Sequence, residues 1–198
     1  MTADKERLEE QIKFIVQADE AKNIFRHTYL ADGSRNENDA EHSWHLALMA
    51  MLLFEYSNED INLLRVMKMV VIHDLVEIFA GDTFAYDEKG YSDKEEREKA
   101  AADKLFGMLP KDNENEIRKL WEEFDAMESS DSRFASGLDR LQPLLNNYAT
   151  KGKSWKKDNV KADNVRKRIS VLKDIAPELW KYGNEIIEKS VEKGYLKD

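Results

Sequence analysis

The stretch Met69 to Ile78 sets His73, Asp74 and Glu77 inside an otherwise apolar run. An ionised carboxylate buried without compensation takes up a proton rather than remain charged. The fold must therefore bring an ion pair, a hydrogen-bond network or a metal to these side chains.

The surrounding pattern is helical. Leu8, Ile12, Ile15 and Val16 predict an amphipathic helix over about 4–22. Ile24 to Asn38 reads as a polar loop. Ala40 to Tyr56 is helical, its dense apolar positions implying burial on more than one side. Asp60 reads as the cap of a helix running to about Ala80, where Gly81-Asp82-Thr83 ends it. Ala85 to Ser92 reads as a loop. Asp93 to Leu109 is a charged helix stopped by Pro110, and a further helix carries Ile117, Leu120, Trp121 and Phe124. A cap near Asp131 opens the helix of Phe134, Leu138, Leu141 and Leu145. Residues 150–158 are polar around an isolated Trp155, and two helices close the chain near 160–174 and 177–192. No strand pattern stands out. With 8 Gly and 3 Pro in 198 residues, the composition also favours helices. The expectation is an all-α helical bundle in one domain, 1–198, with the C-terminal helices (about 160–192) packed on its core.

A net charge of -9 disfavours nucleic-acid and anionic-membrane partners. Without cysteine there is no disulfide or zinc-thiolate site. No apolar stretch approaches the ~18 residues of a membrane span, and the charged N-terminus is unlike a secretory signal. A cytoplasmic protein is expected.

His42, His73, Asp74 and Asp139 all fall on apolar helix faces. Singly, each has a structural explanation: a hydrogen-bonded core histidine, or an ion pair such as Asp139 with Arg140. Together they require several costly burials at once, which one divalent cation would satisfy. Two imidazoles and two carboxylates suit a first-row metal with open positions. Ligand type admits Mn, Fe, Co, Ni, Zn and Mg. Such a cation brings the pKa of a water it holds towards neutrality. Glu77, one turn beyond His73, is then placed to orient or deprotonate that water.

The order of Glu41-His42, His73-Asp74 and Leu138-Asp139-Arg140-Leu141 resembles the HD-domain metal-dependent phosphohydrolases. The segments Arg35 to Ser43, His73-Asp74-x-x-Glu77-x-x-x-Gly81-Asp82, Asp139 to Asn146, and Gly152-x-Ser154-Trp155 are similar to its 5′-deoxynucleotidase-like branch. The resemblance runs from about Ile12 to Gly194. It implies an HD-domain helical fold, one metal on His42, His73, Asp74 and Asp139, and release of phosphate from (deoxy)nucleoside 5′-monophosphates. By the same resemblance Arg26 clamps the phosphate, and Asp82, with Thr83 assisting, meets the sugar. His27 departs from the branch, where Trp follows the matching Arg, and this bears on substrate preference. His45 reads as a core residue or a support to His42. The basic stretch 151–168 reads as an exposed loop and helix start, with a flap carrying Trp155 as the alternative. Two other functions stay open: hydrolysis of a cyclic nucleotide or nucleoside triphosphate, and a metal-stabilised, non-catalytic binding domain. A homodimer is expected, with Trp121 or Trp180 as exposed aromatics that could join its interface.

Overall fold

The computed structural model describes residues 3–86 and 92–198. Eleven α-helices and one short strand pair are seen among them. α1 (Ala3–Ala18) ends four residues earlier than its periodicity predicts, because Asp19–Asn23 tightens into a 3-10 turn. The expected loop that follows is instead an antiparallel pair, β1 (Phe25–Tyr29) with β2 (Asn36–Asn38). Phe25 faces Asn38 and Tyr29 faces Asn36, so three residues of β1 stand opposite one of β2. Such a bulge re-aims side chains, and these three are Arg26, His27 and Thr28. Asn36 pins it, its side-chain amide donating to the carbonyls of Arg26 (2.8 Å) and His27 (3.2 Å). The bulge also breaks the alternation that would have marked β1 as a strand.

Asn38 then caps α2 (Asp39–Leu53), accepting from Glu41 N while Glu41 returns a bond to Asn38 N. α3 (Leu63–Ile72) is capped by Asn62 rather than Asp60. The predicted helix through Ala80 breaks at His73–Val76 and resumes as α4 (Glu77–Ala80). Across the break, bonds three residues apart join Leu75 N to Ile72 O and Glu77 N to Asp74 O. That tighter winding alters the spacing of side chains around the axis. Gly81 closes α4 at φ 77°, a left-handed backbone costly to other residues.

α5 (Lys94–Phe106) and α6 (Lys111–Ala126) lead to α7 (Ser130–Ala149), whose cap is Ser129; Asp131 instead accepts from Asn62 N at 2.7 Å. The loop expected over 85–92 lies mostly outside the described residues. Residues 150–158, read as polar and exposed, form a turn and α8 (Lys153–Lys157), which buries Trp155 to 3% exposure. The turn needs Gly152, because a Cβ there would sit 1.9 Å from Tyr195 O. α9 (Ala162–Ile169), α10 (Leu172–Ile175) and α11 (Pro177–Glu192) complete the chain, α9 and α10 dividing the single helix expected there.

Leu46, Met69, Leu138, Leu141, Ile169 and Ile187 belong to one buried cluster, so the C-terminal helices pack on the same core as α2, α3 and α7. A smaller cluster joins Phe14 of α1, Val76 and the apolar side of α5. Trp121 and Trp180, expected on the surface, are half-buried against the core. Among the described residues no helix is long and apolar enough to cross a membrane.

Candidate metal centre

α2 supplies His42, the end of α3 supplies His73 and Asp74, and α7 supplies Asp139. The structure brings one ligand atom each from His42, His73 and Asp139 within 4.8 Å of one another. His42 Nε2 lies 3.0 Å from Asp139 Oδ1, and His73 Nε2 lies 3.6 Å from the same oxygen. Asp74 Oδ2 is 3.0 Å from His73 Nε2 and 3.9 Å from His42 Nε2. All four residues thus surround one point. Asp74 also belongs to a second acidic group, with Asp39 and Glu77.

Both rings are locked in orientation. His73 Nδ1 lies 3.0 Å from the Val70 carbonyl, which can only accept. His42 Nδ1 meets Gln142 Oε1 at 3.2 Å, with Glu37 Oε2 at 3.4 Å. Gln142 in turn donates from Nε2 to Glu37 Oε1 (2.6 Å) and to His45 Nδ1 (3.1 Å). With each Nδ1 carrying its proton to a protein acceptor, each Nε2 is turned to the shared point. His73 Nε2 is buried and has no well-aligned hydrogen bond despite its short approach to Asp74.

The buried carboxylates draw positive charge to this point. Burial works against the His73 imidazolium, but Asp74 and Asp139 outweigh it and hold its pKa at about 10. Asp74 and Asp139 are held below the usual carboxylate range, burial being overcome by the two histidines and, for Asp74, by Arg26. Arg26, expected to clamp a phosphate, turns inward. Its Nη1 contacts Asp74 closely and lies 3.4 Å from Asp39, and its Nη2 lies 3.8 Å from Asp139. Two imidazole nitrogens and two buried carboxylates, already drawing a guanidinium, fit a divalent first-row cation.

Glu77 is buried, and its Oε2 has no partner. Burial, then the Asp74 and Asp39 carboxylates, push it well above the ordinary range. Asp39 is raised to about 7, first by burial and then by Asp74, with Arg26 opposing. Asp39, Glu37 and Gln142 join the site only through packing. In the sequence Asp39 reads as an ordinary acid of a helix's first turn.

A cavity of about 260 Å³ opens from this centre. Arg26, His73, Asp74, Glu77 and Asp139 line its inner end, while His27, Phe84, Tyr86 and Arg168 are among the residues of its other walls. Asp82 lines it too, its carboxyl raised by burial against the pull of Arg26. Thr83 lies beside it with its Oγ1 accepting from Arg97 at 3.1 Å. The His27 ring stacks on Phe84 at 4.2 Å between centroids and faces Asp158 at 3.4 Å.

An all-α bundle that presents two histidines and two aspartates from three helices defines a class, and the comparisons with known proteins agree. The HD-domain profile matches residues 18–180, and the chain belongs to the HD-domain family. It is 47% identical, with a TM-score of 0.93 and full coverage of both chains, to the crystal structure of a predicted metal-dependent phosphohydrolase from Magnetospirillum magnetotacticum MS-1. An HD-domain phosphohydrolase from Listeria innocua shares the fold at 17% identity over 92% of this chain and 94% of the other, with a TM-score of 0.62. Human 5'-deoxynucleotidase HDDC2 is 29% identical over 111 residues, 56% of this chain and 53% of that protein. The chain thus spans about half the length of the curated relatives it matches first. The 5'-deoxynucleotidase hdd1 of Schizosaccharomyces pombe is 20% identical over 82% of this chain and 74% of that protein.

Proposed function

We propose that this protein is a metal-dependent phosphomonoesterase that hydrolyses (deoxy)nucleoside 5′-monophosphates to nucleoside and phosphate. The convergence of His42, Asp139, His73 and Asp74, the last three lining one cavity, carries this reading. A divalent cation held by these four would supply Lewis acidity and lower the pKa of a nearby water. The raised proton affinity of Glu77 makes it a fitting base for that water. The water oxygen bonds to phosphorus, the bond to the 5′ oxygen breaks, and the proton taken by Glu77 passes to the leaving oxygen. The planar donor fork of Arg26 suits phosphate oxygens. Asp82 is positioned to accept from a sugar hydroxyl, and Thr83, tied to Arg97, steadies that turn. The cavity's 260 Å³ is close to the lower limit of about 300 Å³ for small-molecule sites, which favours a monophosphate over a triphosphate. The test is phosphate release from purified protein with Mn²⁺ or Co²⁺ across mono-, di- and triphosphates. Release confined to monophosphates is expected, and none from any monophosphate would overturn the reading.

We further infer that a second copy covers the outer side of α2. No charged residue occurs from His42 to Phe54, a composition suited to a helix buried on all sides. Yet Trp44, Leu48, Met51 and Leu52, spaced i, i+4, i+7 and i+8, lie exposed. Two copies each carrying -9 approach best through an uncharged face. Phe54 and Tyr56, also exposed, extend the patch. Trp44→Glu is expected to convert a dimer to a folded monomer in sedimentation experiments. A wild-type monomer at about 100 µM, well above the Kd of a specific interface, would remove the inference.

A further inference from the structure

The wall of the cavity away from the metal ligands is an aromatic ledge ended by an arginine. His27 stacks on Phe84 with an interplanar angle of 19°. Phe84 meets Tyr86 edge to face at 5.4 Å between centroids. Arg168 of α9 lies over the Tyr86 ring, its guanidinium carbon 5.8 Å from the centroid. Arg168 lines the same cavity as Arg26 and Asp74. Arg26 faces three carboxylates, but among the described residues no carboxylate lies within ion-pairing distance of Arg168. An arginine that lines a cavity and pairs with no carboxylate among the described residues keeps its donors for a ligand.

We propose that Arg168 reads the nucleobase of the substrate and favours guanine. This rests on the monophosphatase reading above. With the phosphate held at the Arg26 end, the base lies against the His27, Phe84 and Tyr86 rings, whose uncovered surfaces offer aromatic contact to a base. Arg168 then meets the edge of that base. A guanidinium only donates, so it pairs best with an edge offering two neighbouring acceptors. Guanine presents N7 and O6 in that arrangement, whereas adenine sets a donor amine beside N7.

The experiment compares kcat/KM of the full chain, loaded with Mn²⁺, on dGMP, dAMP and 2-deoxyribose 5-phosphate. The last substrate has sugar and phosphate but no base. Arg168→Ala is expected to lower kcat/KM on dGMP by about 10- to 100-fold, the range for loss of a bidentate arginine–guanine contact. The loss on dAMP should be only a few-fold, and 2-deoxyribose 5-phosphate should be unaffected. Arg168→Lys, which keeps the charge but not the fork, should leave the guanine preference lost. An equal loss on all three substrates would make Arg168 a phosphate or structural residue and overturn the proposal. No loss on dGMP would overturn it as well. Wild-type hydrolysis of the base-free phosphate without discrimination between dGMP and dAMP would sink the base assignment and leave the phosphatase reading standing. No phosphate release from any of the three would take down both.

Discussion

The two ends of the cavity are built by opposite means. At the metal end, His42, His73, Asp74 and Asp139 come from α2, α7 and the end of α3, are largely buried, and are held by protein partners. At the mouth, the residues come from a strand bulge, the Gly81–Tyr86 turn and α9, and His27 is partly exposed. The inner end is a rigid arrangement of charge, and the outer end is a set of surfaces. The chemistry is thereby separated from the selection of what enters.

Substitutions that break this division should grade in size. Asp139→Ala is expected to abolish metal retention and reduce turnover by more than about a thousandfold, since one oxygen of that carboxylate approaches both imidazoles. Metal analysis of the purified variant beside its kcat checks this. Glu77→Gln should lower kcat by roughly 10²- to 10³-fold while metal content stays at the wild-type level, which separates the proton-handling role from the ligand set. At the mouth, His27→Ala should raise KM a few-fold with metal content and kcat near wild type. A large fall in kcat there would show that the two ends are not separable.

The smallest effect concerns stability in the metal-free protein. The pKa of Asp39 is raised from an ordinary 3.8 to about 7, so the folded state holds a proton that the unfolded chain releases. Its contribution is full below about pH 4 and is lost as pH rises towards 7. Asp74 and Asp139 are shifted the other way and stay ionised in both states across that window. Thermal unfolding of metal-free protein should show a Tm falling between pH 4 and 7. Glu77 and Asp82 are raised in the same direction and add to the fall, so Asp39→Asn should reduce that slope without abolishing it, and an unchanged slope would remove Asp39 as a source.

The same division decides what was legible in the sequence. His42, His73, Asp74 and Asp139 stand out because polar residues on apolar helix faces violate a periodicity visible within ten residues. Glu77 stands out for the same reason. Gln142 lies in the segment 139–146 that carries the family resemblance, but its hold on His42 bridges 100 residues of chain. The burial of Trp155 depends on how the chain beyond Gly152 packs against Tyr195. Arg168 reads as one cation among the eight Lys and Arg of 151–168, and only folding shows that it lines the cavity. The break at His73–Val76 leaves no local mark, because Asp74-Leu75-Val76-Glu77 contains no breaker.

The bulge in β1 has an evolutionary consequence. Arg26 and His27 are neighbours on one stretch whose two carbonyls are tethered to the same Asn36 amide. The residue proposed for the phosphate and the one beside the base ledge therefore share a single mechanical anchor. Side-chain replacement at position 27 can change substrate range while the anchor stays. An insertion or deletion in the same strand would displace Arg26 along with it, so descendants of this chain are free to drift in what they accept by exchanging residues there, but not by changing the strand's length.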